Sequence, residues 1–201
     1  MESNLKEVEE LIDSDLTEVE ALIEAYYCCS DEDRGDQLAA LVKNILKPLV
    51  QAKVAKALWL QACLPNAGNE GPICDTDFET QWLSLIKEAA FGGCAEAQYS
   101  YGCELYDEGK YDEAHSLYQK SAAQGYAPSL WCYGLEIING IGETKNISKG
   151  LYYIRLAAEN RYEYAVEFLI RAYTEGEYGL SKDQKEVKKW ESVLQWLLLK
   201  L

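Results

Sequence analysis

The chain has one histidine, His115, in the run Asp112-Glu113-Ala114-His115, and this limits the catalytic chemistry open to it. Side-chain catalysis of acyl transfer or hydrolysis needs a nucleophile, a base and a group that orients the base. The sequence contains no H-E-x-x-H, no G-x-S-x-G and no phosphate-cradling glycine loop. His115 is therefore assigned a surface or packing role. Thirty-four acids make close carboxylate pairs abundant, but such pairs arise on any acidic helical surface, and no EF-hand loop is visible. No catalytic residue is expected, and a hydrolase using surface carboxylates is the weakest functional reading.

Cysteines 28, 29, 63, 74, 94, 103 and 132 are odd in number, irregularly spaced and form no C-x-x-C pair. Zinc sites and secreted disulfide frameworks both need paired, spaced ligands, so reduced thiols without a metal or cofactor are expected. The N-terminus, Met1-Glu2-Ser3-Asn4, has neither the basic nor the apolar segment of an export signal, and no apolar run approaches a membrane span. A cytoplasmic location is the resulting expectation. Without export, Asn146-Ile147-Ser148 is a chance match to the glycosylation pattern.

With 201 residues, 48% of them hydrophobic, the chain is long enough to bury a core. Its formal charge of -15 argues against nucleic acid, whose phosphates are met by clustered Lys and Arg. A basic protein is the expected partner. The acid is concentrated: residues 1–36 hold thirteen acids against Lys6 and Arg34, a net of -11. In the same segment Leu5, Val8, Leu11, Ile12, Leu16, Val19, Leu22, Ile23 and Tyr26 recur at steps of mostly three and four, the mark of amphipathic helices. Asp15-Leu16-Thr17-Glu18 resembles a capping box, which predicts a break near Asp13 to Asp15.

From Asp36 to Leu64 the helical pattern continues, with a kink or break expected at Pro48. Pro65 to Asp75 reads as an exposed loop, and Thr76-Asp77-Phe78-Glu79 as a capping box that opens a helix through Trp82, Ile86 and Ala90. No useful strand-like alternation appears, so the fold class is all-α.

Ala-Ala pairs at 89/90, 122/123 and 157/158 give periods of 33 and 35, and each pair precedes a new helix: Ala95 to Asp107, Tyr126 to Asn139 and Tyr162 to Glu175. Small residues at matched positions let helix backbones approach closely, while Tyr, Leu and Trp fill the space between neighbouring hairpins. One such unit cannot bury its own apolar face, so several must stack.

Ala95-Glu96-Ala97-Gln98-Tyr99-Ser100-Tyr101-Gly102 resembles the A-x-A-x-x-x-L-G opening of the Sel-like repeat (SLR) family, a relative of the tetratricopeptide repeat. The next unit keeps Ala127, Ser129, Tyr133, Gly134, Gly140, Gly142, Lys149, Tyr153 and Ala157-Ala158 in register; the third keeps Leu169, Tyr173, Gly176, Asp183 and Trp190. Gly109-Lys110-Tyr111-Asp112-Glu113-Ala114 is the shorter turn of ordinary tetratricopeptide repeats, and Gly140-Ile141-Gly142 is similar to the SLR interhelical turn. The resemblance implies an α/α superhelical solenoid of three to four helix-turn-helix repeats. Residues 1–50 would form an acidic N-terminal helical cap, and residues 51–201 the repeats with a C-terminal capping helix.

The resemblance also implies a groove lined by the first helix of each repeat and a role as a non-catalytic protein-binding module. Positions left open by the family pattern include Glu96, Ser100, Glu104, Asp107, Leu135, Glu136, Asn139, Glu163, Glu167, Arg171 and Glu175. With Glu18, Glu20 and Glu24 on the N-terminal helices, they are the candidate partner-binding residues. Their acid bias suits a basic ligand, as for an immunity protein that neutralises a basic bacterial toxin domain. An adaptor or scaffold in signalling or machine assembly would have the same features.

Overall fold

A computed structural model describes residues 2–28, 32–64 and 75–199. The expected loop from Pro65 falls almost wholly outside them, as do Cys29 and Cys74. Ten helices follow one another along the described residues, which contain no strand. The chain divides into two compact units, Met1–Ala97 and Gln98–Leu201.

The first unit contains α1 (Glu2–Tyr27), α2 (Glu32–Gln51), α3 (Ala55–Ala62) and α4 (Asp75–Phe91). α1 runs unbroken, contrary to the expected break near Asp15. Ile12, Leu16, Val19 and Ile23 keep steps of four, three and four, so one apolar stripe crosses the acidic residues and stays on the core. Val42 and Leu46 of α2 and Ala57, Leu60 and Leu64 complete that core. α2 continues one turn past Pro48 and ends at Gln51; Lys53, at φ 58°, then reverses the chain into α3. α4 opens at Asp75, so Thr76 lies inside the helix and not at its cap.

α5 (Ala95–Asp107) spans the division between the units, and α6 (Tyr111–Ala123), α7 (Ala127–Asn139), α8 (Ile147–Glu159), α9 (Glu163–Glu175) and α10 (Gln184–Leu198) follow. Within the second unit α6 packs on α7, α7 on α8, α8 on α9 and α9 on α10. The α7/α8 crossing is the tightest. A Cβ at Gly150 would lie 2.5 Å from the Gly134 carbonyl oxygen, and one at Gly134 would lie 2.9 Å from that of Gly150. α10 is capped by Asp183, whose carboxylate accepts from the Lys185 and Glu186 amides, and it buries Val187 and Trp190.

The repeat is real, but its register differs by one residue from the alanine pairs. α6 ends at Ala123 and α8 at Glu159, so Ser121-Ala122, not Ala122-Ala123, matches Ala157-Ala158. The periods become 32 and 36, and Ala123 is exposed. Ala89, Ser121 and Ala157 are each 0% exposed, as are Ala97, Ser129 and Ala165 eight residues later. In the middle repeat the Ser129 hydroxyl donates to Ser121 Oγ at 2.7 Å, so two small polar residues satisfy each other where neighbouring repeats use alanine.

Candidate protein-binding surface

The acidic candidates separate into those held by lysine and those left open to solvent. Glu18 and Glu24 are exposed on α1. Glu20 is tied to Lys56 at 2.8 Å, and the same ammonium group is hydrogen-bonded to Glu96. Burial alone would lower the Lys56 pKa, but the hydrogen bonds to Glu20 and Glu96 outweigh it and hold it at about 12. For Glu96, partial burial opposes ionisation, yet the Lys56 hydrogen bond prevails and its pKa lies below the ordinary carboxylate value. Glu20 and Glu96 thus fasten the first unit together and are not free acids.

In the second unit Ser100 and Glu104 are half-buried, while Asp107, Asn139, Glu167 and Arg171 are exposed. Glu136 is a correction to the surface expectation: it is 4% exposed, and its Oε2 lies 2.8 Å from His115 Nδ1. The structural register gives the reason. Glu136 aligns with Ala172, itself 0% exposed, on the side of the helix that faces the repeat core. The helix bounds Tyr126 to Asn139 and Tyr162 to Glu175 already pair Glu136 with Ala172, a match that its charge masks in the sequence.

The His115–Glu136 pair is a packing device. Burial lowers the His115 pKa; the Glu143 and Asp112 charges oppose that shift and Lys149 reinforces it. Burial also raises Glu136 to about 8. Both groups are driven toward their neutral forms, so at pH 7 the Glu136 carboxyl donates to Nδ1 and leaves Oε1 as an unpartnered carbonyl oxygen. A bare ionised oxygen there would cost more. Gly142, at φ 71°, seats the turn before α8 directly on the ring: a Cβ there would lie 2.3 Å from His115 Cγ.

The surface expected between the first helices of successive repeats is a cleft between α7 and α9. Its volume is about 450 Å³, and it is lined by Trp131, Leu135, Tyr164, Glu167, Phe168, Arg171 and Tyr178. Trp131 meets Phe168 edge-on at 5.5 Å between centroids, and Phe168 lies 4.8 Å from Tyr178. The wall positions are Trp131/Glu167 and Leu135/Arg171, equivalent in the repeat, and not the Glu136 column one residue on. Tryptophan and tyrosine are expected from the sequence to fill space between hairpins; Trp131 and Tyr178 do so only in part and remain half-exposed, whereas Phe168 between them is buried.

Arg171 reaches across the cleft, 5.7 Å from the Phe168 centroid, toward Glu177. The separation of 3.5 Å from Nε to Glu177 Oε2 is too long for a good hydrogen bond, and that buried oxygen has no other partner. Burial pushes the Cys63 thiol to about 11 and those of Cys94 and Cys132 to about 12, so none is a poised nucleophile. Asn146 caps α8 by accepting from the Lys149 amide. No helix among the described residues is long and apolar enough to cross a membrane.

No family model and no curated protein matches the sequence. Solved structures do. A Sel1 repeat protein from Oxalobacter formigenes superposes with a TM-score of 0.64 at 20% identity, over 78% of this chain and 64% of its own. A protective antigen of uropathogenic Escherichia coli strains, displaying an SLR fold, superposes with a TM-score of 0.60 at 25% identity, over 76% of this chain and 32% of its own. The chain therefore spans under two thirds of either structure's length. Hairpins related by small buried residues, a glycine-mediated α7/α8 crossing and these two superpositions agree: the chain has the fold of Sel-like repeat proteins.

Proposed function

We propose that the chain is a non-catalytic protein-interaction module whose partner is a basic protein. The observation that carries this reading is the distribution of ion pairs. Lys53, Lys56, Lys110, Lys149, Lys189 and Arg171 each face a carboxylate of the chain itself. Lys43, Lys47, Lys120, Lys145, Lys182, Lys185 and Lys188 are exposed outside any ion pair among the described residues, and they leave the formal charge at -15. Glu18, Glu24, Asp107, Glu163, Glu167 and Glu175 are exposed, and no ion pair among the described residues includes them. Uncompensated acids on rigid helices favour encounter with a cationic surface and add little to stability.

The sharper form of this proposal is an inhibitor of the immunity-protein kind, in which the acidic surface covers a cationic cleft of a toxic domain in the same cell. An interaction module needs no reaction centre, and the buried side chains His115 with Glu136 and Ser121 with Ser129 pair within the fold.

The test is affinity capture on the immobilised full chain at low and high salt, with identification of the retained proteins. Retention of basic proteins that is lost on raising salt, and reduced by Glu18→Lys with Glu24→Lys, is expected. Retention of acidic or neutral proteins indifferent to salt would refute the reading. The inhibitor form predicts in addition that co-expression with the retained partner's gene restores growth that the partner alone arrests.

A further inference from the structure

We propose that the α7/α9 cleft is a specificity pocket for one lysine or arginine side chain of the partner, an inference that rests on the basic-partner reading and assigns it a place. The alkyl stem would lie over Trp131, Phe168 and Tyr178, and the cationic head would reach Glu167.

Three features of the cleft favour this occupant. Its floor is aromatic, with Phe168 packed between Trp131 and Tyr178, and Tyr164 stands at the rim 62% exposed. A cation is attracted to such ring faces, and a long basic side chain covers apolar surface while keeping its charge at the edge. The ring faces here already attract one cation, since the Arg171 guanidinium lies over Phe168.

The second feature is charge. Glu167 lines the cleft, is exposed and makes no ion pair among the described residues. Arg171 is opposed by Glu177, so the uncompensated charge at the cleft is Glu167's. An apolar anchor of the same size would strip water from that carboxylate and give nothing back, whereas a cationic head replaces the lost hydrogen bonds. The third is a loose contact: Arg171 Nε lies 3.5 Å from Glu177 Oε2, too far for a good hydrogen bond, and that buried oxygen has no other partner, so a second cationic head at the cleft meets a carboxylate that Arg171 satisfies poorly.

The experiment uses the full chain and blocked five-residue peptides, Ser-Gly-X-Gly-Ser, with lysine, arginine, norleucine or glutamate at X, titrated while the Trp131 indole resonance is followed by NMR. The lysine and arginine peptides are expected to shift that resonance and to bind at least fivefold more tightly than norleucine. Glu167→Gln should erase the preference and leave norleucine binding unchanged, and Tyr164→Ala should weaken both. Norleucine binding as well as lysine, lysine binding unchanged in Glu167→Gln, or no peptide moving Trp131 would overturn the proposal. If lysine peptides move α1 resonances around Glu18 and Glu24 instead, the cleft is rejected while the basic-partner reading survives. If the glutamate peptide binds best at both places, that reading fails as well.

Discussion

The two units handle buried polarity in opposite ways. In the first, Lys56 gathers Glu20 and Glu96, so half-buried charged groups beside the core are neutralised by charge. In the second, His115 and Glu136 are buried as neutral partners, Ser121 and Ser129 as paired hydroxyls, and Gly134 and Gly150 bring α7 and α8 almost to backbone contact. Part of the acid in the first unit is therefore structural. In the second, the polar interior is separate from the exposed acids, so binding and folding are divisible by mutation there.

The largest effect should come at the glycine crossing. Gly150→Ala sets a methyl 2.5 Å from a backbone carbonyl and should cost about 3 kcal/mol or more, because backbone cannot swing aside. Gly92→Ala, in the first unit, meets the Ala55 methyl at 2.7 Å, with the backbone oxygens of Glu88 and Ala89 no nearer than 3.3 Å, and should cost less. Thermal or denaturant melts that rank the two in the reverse order would break the contrast.

Next in size is the buried pair. His115→Leu alone strands the Glu136 carboxyl and should cost roughly 1 to 3 kcal/mol. The double substitution His115→Leu with Glu136→Ala, the residues that the register places at Leu151 and Ala172 in the following repeat, should lie within about 1 kcal/mol of wild type, since both polar groups go together. Singles and double that add independently would show that the two side chains do not act as a pair.

The pair also fixes a pH dependence. Glu136 is raised from 4.5 to about 8, so its contribution is full below the unfolded value and lost as pH rises through 8. His115 is lowered from 6.5, so its contribution is full above 6.5 and lost as pH falls through its folded value. Between 4.5 and 6.5 the unfolded chain keeps a proton on His115 and the folded chain keeps one on Glu136, so the two shifts oppose each other there. From 6.5 to 8 the unfolded chain holds fewer protons, so stability should fall by roughly 1 to 2 kcal/mol. Denaturant melts across that range check it, and a double variant that keeps the slope would assign it elsewhere.

The smallest effects belong to the acids of the first unit. Glu20→Gln should cost under about 1 kcal/mol through its half-exposed contact with Lys56. Glu18→Lys and Glu24→Lys should leave the melt unchanged, being exposed and unpaired.

Helix content and the starts of α5, α7 and α9 were legible from periodicity, because apolar spacing at three and four survives any choice of register. The register itself was not, since Ala122-Ala123 looks like Ala157-Ala158 until the helix ends are known, and Ser121 does an alanine's work. Glu136 read as a surface acid for a different reason: its charge, and not its place 36 residues before the buried Ala172, set the expectation. The capping pattern at Asp15 misled for a related reason: a local hydrogen-bonding preference was outweighed by the continuous stripe of Ile12, Leu16, Val19 and Ile23.

The central claim is that exposed, uncompensated acid recruits a basic partner. It is tested most directly by the association rate of the captured partner with the full chain between 0.05 and 0.5 M salt, as conditions chosen to span Debye lengths of roughly 14 to 4 Å. The rate should fall steeply with salt, and the fall should flatten in the Glu18→Lys, Glu24→Lys variant, whose melt is unchanged. A rate independent of salt, or a slope identical in the two proteins, would contradict it.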